Sequence, residues 1–270
     1  MHARTLRRWF LPLAILGATA VRAQDAPPLS EEEFKQLHEH REDAAPPRKG
    51  TRIELAGDQV YLSLPAGKQA PMPAIVVIHE WWGLNEHIEH WADRLAAQGW
   101  AALAVDLYGG KVAKSPDEAS ALMKGLDEAR ALERVRAAVK FLREDERVKA
   151  TKVASIGWCL GGTWSLRLAL AEPGLDACVV YYGRIPTTDP ERLKEIRAPV
   201  CGIFATRDPS IPNESVDALE RGLAAAGVKH EVHRFDAEHA FANPSGKRYA
   251  SKEAAEAWEK ARAFLEAHLR

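Results

Sequence analysis

The chain has 270 residues, enough for one large α/β domain, and its 46% hydrophobic and 28% charged residues are ordinary for a soluble globular protein. Its formal net charge of −1 argues against a nucleic-acid partner, which would call for a basic surface.

The N-terminus stands apart from the rest. Arg4, Arg7 and Arg8 precede an apolar run, Trp9 to Val21, too short to span a bilayer comfortably, and Val21-Arg22-Ala23 offers a small-x-small cleavage site. This order reads as a secretory signal peptide over residues 1–23, cut after Ala23 to expose Gln24; the competing readings are a membrane anchor and a frayed helix. The expected location is periplasmic or secreted, with no stable membrane span after cleavage. Arg7-Arg8-Trp9-Phe10-Leu11 resembles a twin-arginine signal, but Leu6 stands where Ser or Thr is usual, so both export routes stay open. Residues 24–50 read as a tether. Pro27-Pro28 and Pro46-Pro47 bracket an acidic helix candidate, Ser30 to His40, with Ser30 and Glu33 as a capping box, and too few apolar residues for a core of its own.

From residue 51 onward strands and helices alternate. Strands are predicted over Arg52–Ala56, Val60–Leu64, Ala74–Ile78, Ala101–Val105, Lys152–Ile156, Ala177–Tyr182, Val200–Ala205 and His230–Phe235. The first two form an antiparallel hairpin around Ala56-Gly57-Asp58-Gln59. Ile88, Trp91, Ala92 and Leu95 share one helical face, as do Leu132, Val135, Val139 and Leu142; Trp258, Ala261 and Leu265 stripe a last helix over about Ser251 to His268. The charged set Glu128, Arg130, Glu133, Arg134 and Arg136 reads as a solvated helix face. Such β-α alternation implies an α/β fold, a mostly parallel sheet with helices on both faces, whose ligands bind beyond the strands' carboxyl ends.

One stretch carries the chemistry. Ile156-Gly157-Trp158-Cys159-Leu160-Gly161-Gly162 lies between an apolar strand and a helical run, Thr163 to Ala171. G-x-C-x-G is a nucleophile elbow with cysteine in the serine position; small neighbours relieve the crowding of a sharp strand-to-helix turn, and the following helix points its N-terminus at the thiol. An elbow nucleophile needs a base, and the base an orienting acid, in the chain order nucleophile, acid, histidine. Asp208 follows the strand ending at Ala205, and His239 follows the strand ending at Phe235. Singly, Asp208-Pro209 is also a turn signal and a lone histidine is usually a surface residue. Three matches in the right order, each at a strand's carboxyl end, point to a Cys159-His239-Asp208 triad. Cys178 and Cys201 lie in apolar strands and read as buried residues rather than a disulfide; no CxxC or Cys/His spacing suggests zinc, and no cofactor or metal is expected.

With His79-Glu80-Trp81-Trp82-Gly83-Leu84-Asn85 after the strand ending at Ile78, the chain resembles the dienelactone hydrolase family of α/β-hydrolases from about Arg52 to its C-terminus. The resemblance implies that Cys159 is the nucleophile, His239 the base, Asp208 its orienter and Glu80 the partner of the thiol. It places an oxyanion hole at the backbone N–H groups of Leu160 and Trp81. Val105-Asp106-Leu107-Tyr108 is similar to the family's strand-end segment, making Tyr108 a candidate substrate contact; Trp81, Trp82 and Trp158 are candidates for an apolar acyl pocket, against plain core packing. The implied substrate is a small ester or lactone.

The family's dienelactone hydrolases hold the substrate carboxylate with two arginines, and here those neighbourhoods read Gly109-Gly110-Lys111 and Asn243. A fixed guanidinium clamps a carboxylate bidentately in a way glycine or asparagine does not replace, so neutral activated esters or lactones are the expected preference. Arg184 is a candidate substitute anchor, or a surface loop charge. The competing functions are an amide hydrolase on the same scaffold and a non-catalytic thiol that binds or senses oxidants.

Overall fold

The computed structural model of the protein describes Phe34 and residues 47–270; the expected signal peptide, and the expected tether helix apart from Phe34, lie outside the described residues. Eight strands form one sheet: β1 (Thr51–Leu55), β2 (Asp58–Ser63), β3 (Ala74–Ile78), β4 (Ala101–Val105), β5 (Val153–Trp158), β6 (Ala177–Tyr181), β7 (Val200–Ala205) and β8 (His230–Phe235). Their spatial order is β1-β2-β4-β3-β5-β6-β7-β8. The β1–β2 and β2–β4 pairs are antiparallel and the remaining pairs parallel. The central strands β3 to β7 are buried along their whole length, as a parallel sheet covered on both faces requires.

The helices are α1 (Glu86–Ala97), α2 (Pro116–Lys124), α3 (Glu128–Glu144), α4 (Leu160–Ala171), the short α5 (Pro190–Leu193), α6 (Asn213–Ala225) and α7 (Ser251–Leu269). Two side chains of β6 show how they flank the sheet. Cys178 Sγ lies 3.4 Å from Ser165 Oγ of α4, whereas the Tyr181 hydroxyl donates to the Ala257 carbonyl of α7. Three positions apart on one strand, they project from opposite faces, so α4 and α7 cover opposite sides.

Three details differ from the sequence expectation. The β1–β2 turn is a two-residue loop, with Leu55 opposite Asp58 and positive φ at both Ala56 and Gly57; that backbone twist matches the twist of the strands. Asp58 therefore belongs to β2, where Arg134 of α3 clamps it at 2.5 and 2.6 Å while also donating to the Leu107 carbonyl. Arg134 thus departs from the solvated face expected of it: a bidentate ion pair with a buried carboxylate draws it inward. Finally, α4 starts at Leu160, three residues before the predicted start, because Gly161 and Gly162 here serve close packing rather than breaking the helix. A Cβ on Gly161 would collide with the Ile78 carbonyl of β3, and one on Gly157 with Gly161 itself.

On the α7 side an aromatic stack runs inward. Phe34, fully buried, lies 4.5 Å from Trp91 of α1, and Trp91 stacks on Trp158 at 4.6 Å. The Arg94 guanidinium sits 4.4 Å from the rings of both Phe34 and Trp258, a pairing of delocalised cation and ring faces. One residue of the expected tether is thus part of the core. Glu89 and Asp93 of α1 are buried yet satisfied: Glu89 by Arg48 and Arg52, Asp93 by Tyr61, Ser63 and the N–H groups of Lys49 and Gly50.

Candidate functional site

The carboxyl ends of β3, β5, β7 and β8 converge on a cavity of about 1290 Å³ whose wall includes Glu80, Trp81, Cys159, Leu160, Asp208 and His239. Sequence reasoning predicted these six, and the fold brings them together.

Cys159 occupies the single turn residue between β5 and α4, with φ 54° and ψ −116°. Such a backbone is uncommon for a side-chain-bearing residue and is held by surrounding structure. Here the Cys159 N–H donates to the Tyr181 carbonyl at 3.0 Å and its own carbonyl accepts from Thr163 N–H. The strained turn lifts the thiol off the sheet into the cavity. Leu160 opens α4, so its N–H has no carbonyl four residues back and stays available to an anion beside the thiol.

Asp208 and His239 meet at 2.5 Å, carboxylate Oδ2 to imidazole Nδ1. The other carboxylate oxygen, Oδ1, accepts from Ser210 Oγ at 2.6 Å and from Ser210 N–H at 2.8 Å. Burial opposes the Asp208 charge, but the hydrogen bonds from His239 and Ser210 outweigh it and hold the carboxyl below its ordinary range. Burial likewise opposes a charged His239. Its hydrogen bond to Asp208 and the neighbouring Cys159, with the charges of both, prevail and push the imidazole up to about 10. Tyr182 sets its ring edge-on to His239, with centroids 5.3 Å apart.

Glu80 is buried at the end of β3. Burial pushes its carboxyl up to about 7, against the opposing pull of a hydrogen bond from Asn243 and the His239 charge. Asn243 Nδ2 donates to Glu80 Oε2 at 2.5 Å, while Oε1 is buried without a hydrogen-bond partner. The Asn243 amide has one orientation, because its Oδ1 accepts from Ser245 N–H at 2.9 Å. His79 fixes the strand end that carries Glu80 and Trp81. Its Nε2 accepts from Leu107 N–H at 3.0 Å, so its Nδ1 carries the proton and donates to the Glu80 carbonyl.

Two expected substrate contacts lie elsewhere. Trp158 packs in the core beneath the elbow, 1% exposed and stacked on Trp91; alternation along β5 aims it into the sheet's α7 side while Cys159 turns outward. Tyr108 is buried with its ring 4.9 Å from His79, and neither residue lines the cavity. Trp81, Trp82 and Arg184 do line it. Sequence reasoning missed Ser210 as a partner of Asp208, although Asp-Pro-Ser is a local pattern for a side chain bonding its own backbone two residues on. It also missed Asn243 as the donor to Glu80, which no local pattern reveals. Among the described residues no helix is long and apolar enough to cross a membrane.

Comparison with known proteins gives the family and the fold. The profile of the dienelactone hydrolase family matches residues 59–269. Protein usf of Aquifex pyrophilus is 35% identical over 207 residues, 73% of this chain and 89% of that protein. A protein of Aquifex aeolicus (strain VF5), provisionally named carboxymethylenebutenolidase, is 34% identical with the same coverage. Among solved structures, a dienelactone hydrolase-like promiscuous phosphotriesterase from metagenomic libraries superposes with a TM-score of 0.73 at 26% identity, covering 82% of this chain and 98% of that one.

Proposed function

Because the chain belongs to the dienelactone hydrolase family, we propose that it hydrolyses esters or lactones through Cys159, His239 and Asp208. One observation carries this reading: His239 hydrogen-bonds the buried Asp208 at 2.5 Å on the wall of a large cavity that the elbow cysteine also lines.

The proposed cycle follows from the site's electrostatics. With its pKa near 10, His239 rests as imidazolium at neutral pH on the same cavity wall as Cys159, whose thiolate form is the attacking species. The thiolate attacks the carbonyl carbon, and the N–H groups of Leu160 and Trp81 receive the oxyanion. His239 gives its proton to the departing alkoxide, leaving a thioester. The charge of Cys159 is one of the causes that raise the imidazole pKa. Acylation removes that charge, so the imidazole pKa falls and His239 becomes a base able to take a proton from water. Asp208 keeps Nδ1 as the proton-bearing nitrogen throughout, leaving Nε2 for the chemistry. Glu80, on the wall of the same cavity as Cys159 and close to its own titration midpoint, is the proposed partner of Cys159 during substrate entry.

Substrate charge is the open dimension of this site. Neutral, activated esters and lactones fit best: the wall carries Trp81, Trp82 and Leu160, and Asn243 is already committed to Glu80. Arg184 on the same wall is the alternative anchor for an acidic substrate. The test is hydrolysis of p-nitrophenyl acetate, followed by kcat/KM for matched neutral and carboxylate-bearing lactones. Turnover with a neutral preference is expected; a strong preference for the acid, lost in Arg184→Ala, refutes the neutral assignment, and no turnover refutes the hydrolase reading. We further propose that the mature protein acts outside the cytoplasm, a reading that rests on residues 1–23.

A further inference from the structure

We propose that Cys201, Glu231 and His233 form a binding site for a borderline divalent transition-metal ion, of which zinc is the type, at the β8 edge of the sheet. The site is distinct from the cavity and from the proposed hydrolysis, and it does not depend on that reading.

Strand register builds it. In the parallel β7–β8 pair, Cys201 stands opposite Glu231 and Ile203 opposite His233. Register partners in neighbouring strands project to one face, and so do residues two apart on one strand. The thiol, carboxylate and imidazole are thereby delivered to the same face. It is the face that α7 covers, because Ile203 stands opposite Tyr181, whose hydroxyl reaches the Ala257 carbonyl. The three ligand atoms lie within 4.8 Å of one another, and His233 Nε2 is 3.2 Å from Glu231 Oε1. Ligand bonds of about 2.0–2.3 Å in a tetrahedral zinc site place neighbouring donors roughly 3.3–3.8 Å apart, so small side-chain adjustments suffice.

The donors select the ion. Calcium and magnesium take oxygen shells, whereas sulfur with imidazole and one carboxylate suits zinc and its neighbours. Cys201 forms a buried floor, His233 is partly covered, and Glu231 stands at the rim. Among the described residues β8 ends the sheet, and with Glu231 exposed the site leaves a fourth position for water. Binding then exchanges one proton for one metal–sulfur bond: the thiol proton leaves to solvent and the thiolate becomes a ligand.

The site's place defines its effect. Cys201 is the second residue of β7, and the cavity lies beyond the opposite ends of these strands. An ion here touches no substrate. It ties the edge strand β8, whose extension carries His239, to its single neighbour.

The test is titration of the metal-free full chain with Co2+, in a Cys159→Ala background so that the cavity thiol contributes nothing. One equivalent is expected to bring up thiolate-to-cobalt charge-transfer absorption with the visible bands of four-coordinate cobalt, both displaced by Zn2+. Cys201→Ala should abolish the charge-transfer absorption. His233→Ala, a partly exposed position that leaves the core intact, should weaken binding at least about tenfold and remove the rise in Tm that Zn2+ gives the parent. Absence of charge-transfer absorption in the folded parent overturns the proposal, as does binding unchanged in His233→Ala.

Discussion

Asn243 donates to the Glu80 carboxylate across 2.5 Å, and it is the donor that Glu80 has inside the protein. The bond is directed, since Ser245 N–H occupies the amide oxygen and leaves only the NH2 end to face Glu80. A neutral amide lessens the cost of a buried carboxylate without abolishing it, and Glu80 consequently titrates near pH 7.

This gives a stability prediction with a definite sign. The folded pKa of Glu80, about 7, lies above its ordinary 4.5, so its contribution is intact below pH 4.5 and is lost as pH rises through 7. At about 1.4 kcal/mol per pKa unit, the loss amounts to about 3 kcal/mol. Urea unfolding of the wild type and Glu80→Gln should show the difference between them changing by that amount from pH 4 to pH 8, to the wild type's disadvantage. Asn243→Ala should steepen the loss by about 1.5–3 kcal/mol at pH 8. A pH-independent difference would mean that Glu80 is not an isolated buried acid.

Cys159→Ala should lower kcat/KM for p-nitrophenyl acetate by about 10⁴-fold or more, the scale of losing a nucleophile. Iodoacetamide should modify Cys159 before Cys178 or Cys201, both fully buried. Peptide mapping after graded alkylation reads the order; substantial turnover by the alanine variant would show that another group attacks.

Ser210→Ala tests the outer hydrogen bond of the acid. It removes a 2.6 Å bond to Asp208 Oδ1 but spares the Ser210 N–H bond to the same oxygen. A hydrogen bond to a charged group contributes about 1.5–3 kcal/mol, so kcat should fall about tenfold to a hundredfold with KM little changed. The acid limb of the rate profile should move upward in pH, because Asp208 loses a contact that favours its carboxylate. An unaltered profile would make Ser210 a bystander.

Protein from the native host should begin at or near Gln24 and accumulate outside the cytoplasm. N-terminal mass analysis of the soluble, active form checks this, and an intact Met1 there would contradict it.

What the sequence disclosed follows a physical boundary. The apolar runs that became β3, β4 and β7 need no context to be recognised, and their ends match the expected residues. The elbow was legible because a strained turn between strand and helix tolerates few residue types. Arg134 was not, since the same helical charge pattern serves a solvated face or a clamp on Asp58, depending on a β-turn 76 residues away. Trp158 was misplaced for a related reason: nearness to Cys159 in sequence says nothing about which side of the sheet a ring takes. Asn243 and the Cys201-Glu231-His233 cluster required knowledge of strand order and register, which spacing along the chain does not encode.

The same distance in sequence governs when the protein becomes reactive. Glu80 and Asn243 are separated by 163 positions, and β8, which precedes His239, is both the last strand in the chain and the outermost in that half of the sheet. Contacts of such long range are slow to close. A chain folded only as far as β6 holds its elbow and Glu80 but has neither His239 nor Asp208, and so lacks the base that the proposed cycle needs. Reactivity therefore depends on the docking of β8, and esterase activity during refolding is expected to appear no faster than that edge strand docks.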